Sequence, residues 1–210
     1  MVFAWLLFCM WIVMPSGAIL AQAAALAGMV IFVVFSQFLH NETWRTMGLD
    51  LRWFVPSLWR IGTFAVPAIG GMWLAGRIAG SIKFSARAYV VVAAFYFFWA
   101  LAQQYLFQSF LARRLRICGG GRVGVAAVVG VMFAIIHLPA PCLAGASLIF
   151  GFVAAFAFYE RPNLYAVALA QGALGAAFYG FLPSSLTGII EGGQGLLRIP
   201  FDILQQICRL

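Results

Sequence analysis

Residues 88–112 read AYVVVAAFYFFWALAQQYLFQSFLA, an uninterrupted stretch of residues without a single charged side chain. A helix of about 20 apolar residues is long enough to cross the hydrocarbon core of a bilayer. Equally uncharged runs occupy residues 1–41, 123–159 and 162–190. Each of these runs has room for one or two spans, so the pattern is typical of a polytopic membrane protein.

The composition of the whole chain supports this interpretation. Of its 210 residues, 65% are hydrophobic and only 9% are charged, whereas soluble domains carry about 25% charged residues. A soluble domain, a disordered chain and a disulfide scaffold are therefore excluded. The 13 basic residues outnumber the 5 acidic ones, but they are spread over loops beside the apolar runs. They favour contact with the lipid bilayer and its anionic head groups, and no nucleic acid partner is expected.

We predict an all-α fold, a polytopic transmembrane helix bundle of about six to seven spans. Residues 1–38 form an N-terminal hydrophobic region, with a short helix over 2–14 and the first full span over 18–38. Residues 39–60 form an interfacial segment rich in Trp and Arg, which predicts an amphipathic helix at the head groups. The bundle covers residues 61–182, with spans predicted over 61–80, 88–112, 123–137, 142–159 and 163–182. Residues 183–210 form an amphipathic tail.

Two further features concern the span predicted over 61–80. Gly71, Ala75 and Ala79 recur every four residues, a spacing that lets a neighbouring helix approach closely. Pro67 lies inside the same span and predicts a kink. Gly71 and Ala75 also belong to a surface of small residues suited to apolar contact with a partner helix.

The distribution of basic residues predicts the orientation. The connections 39–60, 113–122 and 160–162 share one side of the membrane and hold eight basic residues, against five on the other side. The positive-inside rule places the richer side in the cytoplasm. We expect an integral protein of a bacterial inner (plasma) membrane with these three loops cytoplasmic.

Few polar side chains lie inside the predicted spans. Gln103, Gln104 and Gln108 share one span, His137 ends the next, and Gln171 lies in the last. Such residues act either as hydrogen-bonding links between helices or as parts of a functional site. The four cysteines are too dispersed for a metal-binding motif, so neither a metal nor a cofactor is expected.

The order and spacing of these polar residues resemble the CPBP intramembrane proteases, the family of CAAX prenyl proteases and bacteriocin-processing enzymes also called Abi. Residues 103–108, QQYLFQ, have the spacing of the family's Glu-Glu-x-x-x-Arg motif. Residues 133–137, FAIIH, reproduce its Phe-x-x-x-His motif, and residues 171–175, QGALG, stand where it has His-x-x-x-Asn. Met47-Gly48-Leu49 before an N-terminal span is also similar. The resemblance extends from about Thr46 to Phe181.

The resemblance implies a bundle whose core binds and hydrolyses a peptide. In the family, the first motif glutamate activates water, and the histidines position that water and stabilise the oxyanion. The corresponding positions in this chain are held by Gln103, Gln104, Gln108, His137, Gln171 and Gly175. Only His137 retains the residue type of the family.

These departures predict a catalytically inactive relative. An amide has no titratable proton, so a glutamine cannot deprotonate water. We expect a binding, accessory or assembly subunit for another membrane protein or its transmembrane helix. An active endopeptidase of the family, processing a membrane-associated peptide or a prenylated substrate, is the alternative. A relocated Cys142–His137 nucleophile, with Ser147 nearby, and a transporter are weaker hypotheses.

Overall fold

The computed structural model describes residues 19–138 and 140–187. The chain divides into two compact units, one of residues 1–42 with 189–210 and the other of residues 43–188. In the first unit the structure describes helix α1, Ile19–Leu39, which confirms that the segment predicted as the first span is helical. The predicted helix over 2–14 and the glycine-rich break and surface helix of the tail lie outside the described residues.

The second unit is built from helices joined by short connections. A 3₁₀ turn, Leu51–Trp53, leads into the helices, which are α2 Phe54–Ala79, α3 Ala86–Ile117, α4 Arg122–Ile135, α5 Pro141–Glu160, α6 Leu164–Phe181 and the short α7 Ser184–Thr187. Residues Tyr105–Ala112 of α3 form a π-helical segment. No strand occurs within residues 19–138 and 140–187. The all-α prediction is confirmed.

Four helical segments of the described chain are long and apolar enough to cross a bilayer. They are Leu51–Ala79, Ala86–Ile117, Pro141–Glu160 and Leu164–Phe181. Two shorter apolar helical stretches accompany them, Ala23–Leu39 and Arg122–Ile135. The chain is therefore an integral membrane protein with a helical bundle.

Glycines allow the helices of the second unit to pack backbone to backbone. A Cβ atom on Gly172 of α6 would lie 2.9 Å from the carbonyl oxygen of Ala93 in α3. A Cβ atom on Gly130 of α4 would lie 2.8 Å from the carbonyl oxygen of Leu148 in α5. The pairs α3–α6 and α4–α5 consequently form the core, and α2 packs along α6.

Helix α2 begins earlier in the chain than the sequence predicts. It begins at Phe54 rather than near residue 61, because Pro56 lies in the first turn, where its missing N–H is not needed. Gly71, Ala75 and Ala79 are exposed, so this small-residue face is open to a neighbouring helix. Gly76 is the buried glycine and approaches the backbone of Phe181.

The connections at one end of the second unit are tied together. Glu160 pairs with Arg60 of α2 at 2.6 Å and also with Arg122 of α4. The Leu164 N–H donates to the carbonyl oxygen of Gly48 at 2.8 Å, and Gly48 adopts a positive φ of 76°. We call this part of the molecule, formed by residues 43–60, 113–122 and 158–163, the arginine-rich end.

Candidate functional site

The site begins in α3, where Gln103 and Gln104 end the α-helical part and Gln108 lies in the π-helical part. Gln108 Nε2 donates to Gln104 Oε1 at 3.0 Å. The two residues are four apart, so their side chains fall on nearly the same face of the helix. Single π turns inside α-helices are common at functional sites, and this one contains Gln108.

Gln171 of α6 joins the same set across the helix interface. Gln104 Nε2 donates to Gln171 Oε1 at 2.6 Å, and Gln171 Nε2 donates to Gln103 Oε1 at 2.7 Å. The four side chains therefore form one continuous series of amide hydrogen bonds from Gln108 to Gln103. We call this series the glutamine network. It connects α3 and α6, one of the two helix pairs that form the core.

The glutamine network is buried and electrically neutral. Gln104 and Gln108 are fully buried, and Gln103 and Gln171 are half-buried. All of its hydrogen bonds run from one amide to another. Gln108 Oε1 is buried and accepts no hydrogen bond from any described residue.

His137 makes its polar contact within its own turn. Its Nδ1 lies 2.8 Å from the carbonyl oxygen of Phe133. A carbonyl only accepts, so Nδ1 carries the hydrogen and Nε2 of the neutral ring presents a lone pair. The His137 N–H bonds to Ala134 instead of Phe133, because α4 ends at Ile135. The imidazole therefore satisfies a carbonyl that the helix end leaves open.

An aromatic contact leads from His137 back to the π-helical segment of α3. The His137 ring lies edge-on to Phe133, with centroids 5.1 Å apart, and Phe133 lies edge-on to Phe107 at 4.9 Å. Phe107 directly precedes Gln108. The Phe-x-x-x-His motif is thus linked to the glutamine network by packing, and no hydrogen bond from the described residues joins them.

Gly175 lies beside Tyr96, a residue that the sequence analysis did not single out. A Cβ atom on Gly175 would lie 3.0 Å from Tyr96 Cδ1, and the Tyr96 ring lies 5.9 Å from that of Tyr179. Tyr96 lies in the aromatic run 95–99. Its hydroxyl group among phenylalanines is the sequence feature that could have identified it. Within residues 19–138 and 140–187, no three His, Cys, Asp or Glu side chains are grouped to hold a metal ion.

Comparison with known families identifies the part of the chain that contains this site. A family model described as type II CAAX prenyl endopeptidase Rce1-like matches residues 85–177. Residues 85–177 belong to the CPBP family. The resemblance noted in the sequence, which extends from about Thr46 to Phe181, is confirmed over this region. No curated protein and no solved structure matches the chain.

The CPBP match covers all six residues that the sequence analysis selected. It begins at the start of α3 and ends within α6, so it includes the glutamine network, His137 and Gly175. The structure joins four of these residues by hydrogen bonds, namely Gln103, Gln104, Gln108 and Gln171. His137 contacts the Phe133 ring, and Gly175 lies against Tyr96. The chain is accordingly a CAAX protease-like integral membrane protein.

Proposed function

We propose that this CPBP family member is catalytically inactive and acts as a membrane-embedded binding or accessory subunit. The observation that carries the proposal is the glutamine network. Its amides stand at the positions where the family resemblance places the two glutamates, the arginine and a histidine. None of them is able to take a proton from water, and general base catalysis is typically worth 10²–10⁴-fold in rate.

The hydrogen bonding of the network supports the same proposal. Each of the three bonds between the amides uses donor and acceptor atoms that a hydrolytic site would direct at water and at the scissile carbonyl. Interhelical bonds of this kind contribute about 0.6 kcal/mol on average inside a membrane. A neutral set of amides is also cheaper to bury than charged groups. This arrangement is suited to holding α3 and α6 together.

A peptidase assay tests the absence of catalysis. Purified protein is incubated with prenylated and unprenylated CAAX-type peptides, and an active type II CAAX prenyl endopeptidase serves as the positive control. We expect no product from the wild type or from the Gln103→Ala and His137→Ala variants. Turnover by the wild type that disappears in both variants would overturn the proposal.

An active endopeptidase is the second candidate, and two observations favour it. The matched family is one of prenyl endopeptidases, and the Nδ1 hydrogen bond of His137 leaves its Nε2 lone pair available. On this reading the imidazole orients a water molecule or a substrate. The same assay separates the two candidates, because only an enzyme gives a rate that depends on His137 and Gln103.

The exposed face of α2 is where we place the partner helix. Gly71, Ala75 and Ala79 are exposed, and a Cβ atom on Gly71 would meet no atom within 4 Å. Small residues at this spacing allow close approach of a transmembrane helix. Crosslinking from α2 in native membranes is expected to capture a membrane protein, and Gly71→Leu is expected to abolish the capture. Val66→Phe is the control, because Val66 is 70% exposed and lies on the opposite side of α2.

A further inference from the structure

Helix α4 is short for a bilayer of ordinary thickness. It has 14 residues, Arg122–Ile135, and therefore covers about 21 Å along its axis. The hydrocarbon core of a typical bilayer is about 30 Å thick. Residues 136–138 form a turn beyond the end of α4, and the Leu138 side chain is exposed. Irregular backbone does not face lipid inside the hydrocarbon core, so this turn has to reach the head groups.

Contacts with α5 set the direction of α4. The Arg122 guanidinium pairs with Glu160, the last residue of α5, and Arg122 Nε donates to the Phe156 carbonyl oxygen at 3.1 Å. Further along, Gly130 of α4 approaches the Leu148 carbonyl oxygen. The two helices thus run antiparallel, side by side, and α5 is long and apolar enough to span a bilayer. We therefore expect α4 to cross the membrane where α5 crosses it.

The outward side of α4 is apolar along its whole length. Its exposed residues are Val123, Gly124, Ala127, Val128 and Val131. Arg122 lies at one end of this face, and His137 follows the other end. An apolar face that polar residues bound at both ends is typical of a surface in contact with lipid. The acyl chains of the bilayer therefore cover this side of α4, and their length has to match it.

Helix α2 gives the same height from different residues. Trp59 and Trp73 are both exposed and lie 14 positions apart, which corresponds to about 21 Å along the helix. Arg60 follows Trp59, and Arg77 lies over the Trp73 ring at 5.9 Å. Tryptophan beside arginine is characteristic of the head-group level at both membrane faces. Arg60 pairs with Glu160, as the start of α4 does, so both heights are measured from one level.

We propose that the second unit fits a bilayer whose hydrocarbon core is about 21 Å thick beside α4, and that it thins an ordinary bilayer around this helix. Tilting a helix only lowers the height that it covers, so tilt does not remove the mismatch at α4. Each ångström of mismatch carries a free-energy cost, and lipids with short acyl chains are therefore preferred next to α4. The proposal does not depend on peptide hydrolysis or on a partner helix.

Bilayers of different acyl-chain length test the proposal on the wild type. The full chain is reconstituted in dimyristoleoyl, dioleoyl or dierucoyl phosphatidylcholine, whose chains lengthen in that order, and the melting temperature is measured. We expect it to fall by about 5 °C or more from the first lipid to the last, because the mismatch grows with chain length. A melting temperature that is independent of chain length, or that is highest in either of the longer lipids, would overturn the proposal.

Spin labels on exposed side chains locate the thin region. The variants Val66→Cys, Val131→Cys and Leu138→Cys each carry one label in a chain whose four native cysteines are replaced by alanine. The depth of each label in dioleoyl phosphatidylcholine is measured from its collisions with oxygen and with a water-soluble nickel chelate. Val66 is the matched control for Val131, because both are exposed valines and Val66 lies halfway between Trp59 and Trp73.

The order of the three depths separates a thin core from an ordinary one. In a thin core Val131 lies about 6 Å from the end of α4, so we expect its label to be shallower than that of Val66 and the Leu138 label to reach the head groups. In a core of about 30 Å, Val131 lies near the centre. A Val131 label at least as deep as the Val66 label would therefore overturn the proposal. A Leu138 label that the chelate reaches, together with a melting temperature that is independent of chain length, would indicate a water-filled crevice and would also overturn it.

Discussion

Gln104 occupies an interior position in the glutamine network. It accepts a hydrogen bond from Gln108 and donates one to Gln171, whereas Gln103 at the end of the network only accepts one. Removing Gln104 leaves the buried Gln108 and the half-buried Gln171 each without a bond, whereas removing Gln103 leaves only the Gln171 donor without one. The consequence of each substitution therefore depends on its place in the series.

We predict that Gln104→Met lowers the free energy of unfolding by about 1–3 kcal/mol, since unsatisfied buried polar groups cost about this much. Methionine keeps the length of the side chain, so the loss reports the hydrogen bonds. Gln103→Met is the matched control and is expected to cost less than half as much. Thermal unfolding in detergent measures both, and equal melting temperatures for the two variants would contradict the series of bonds described here.

Asn163 gives a second prediction for a single residue. It is fully buried, its Oδ1 accepts from the Ala166 N–H at 2.8 Å, and its Nδ2 donates to the Asp50 carbonyl oxygen at 2.9 Å. Asn163→Ala removes the cap of α6 and the tie to the loop before α2, so we expect a loss of about 1–3 kcal/mol. The melting temperature checks this.

The control for Asn163 is Ser85→Ala. Ser85 caps α3 through one bond to the Ala88 N–H at 3.2 Å and is exposed. It makes no second tie of the kind that Asn163 makes to Asp50. We therefore expect a loss of about 0.5–1 kcal/mol for this variant. A larger effect of Ser85→Ala than of Asn163→Ala would show that capping alone accounts for the stability.

At the scale of elements, α3 and α6 pack backbone to backbone. A Cβ atom on Gly172 would lie 2.9 Å from both the Ala93 carbonyl oxygen and the Phe97 nitrogen. Both are backbone atoms, so relief requires the helices to separate. Gly172 also follows Gln171, and any separation would stretch the bond from Gln104.

We predict that Gly172→Ala lowers the free energy of unfolding by about 1–3 kcal/mol, the usual cost of overpacking. Gly62→Ala in α2 is the control, because a Cβ atom there would meet no atom within 4 Å. That variant is expected to be neutral or more stable by up to about 1 kcal/mol, since alanine favours helix over glycine. A Gly172→Ala melting temperature at or above that of the wild type would contradict the observed packing.

The elements show where local sequence signals fail. The sequence predicts that this span begins at residue 61, yet α2 begins at Phe54 and holds Pro56 in its first turn, where a helix accommodates proline. The repeat of Gly71, Ala75 and Ala79 predicts a face that a helix can approach closely, whereas α6 approaches α2 at Gly76. A spacing of four is compatible with contact on any side of a helix, and only the neighbouring helix decides which side is used.

At the scale of the whole molecule, the second unit has one arginine-rich end. Cys118 follows α3 at this end, and Cys142 lies in the first turn of α5, with α4 between them. Both cysteines are exposed. The sequence predicts a span over 123–137 between them, so we expect the two cysteines to lie on opposite sides of the membrane.

We predict that a membrane-impermeant maleimide labels only one of the two in sealed cells. In variants that keep a single cysteine, Cys142 is expected to react from outside and Cys118 only after the membrane is opened, because arginine-rich loops are retained in the cytoplasm. Each variant labelled after detergent lysis is the control for reactivity. Labelling of Cys118 alone in intact cells would show the opposite orientation. Labelling of both cysteines would contradict the prediction that α4 crosses the membrane between them.

The sequence by itself determined the helical membrane class, the order of the helices and the family of residues 85–177. Each of these follows from short-range properties, namely the free energy of moving a local segment out of water and the spacing of a few polar residues along the chain. Gln103, Gln104, Gln108 and Gln171 were selected on the same basis. Their choice required no knowledge of how the helices are arranged.

Only the tertiary structure decided which atoms of those residues meet. The bonds from Gln108 to Gln104, then to Gln171 and to Gln103, depend on the rotation and the separation of α3 and α6, which the close approach at Gly172 sets. The hydrogen bond from Asn163 to the Asp50 carbonyl oxygen likewise joins residues that are 113 positions apart. Hydropathy is a property of each segment, whereas packing and charge complementarity are properties of pairs of segments brought together by folding.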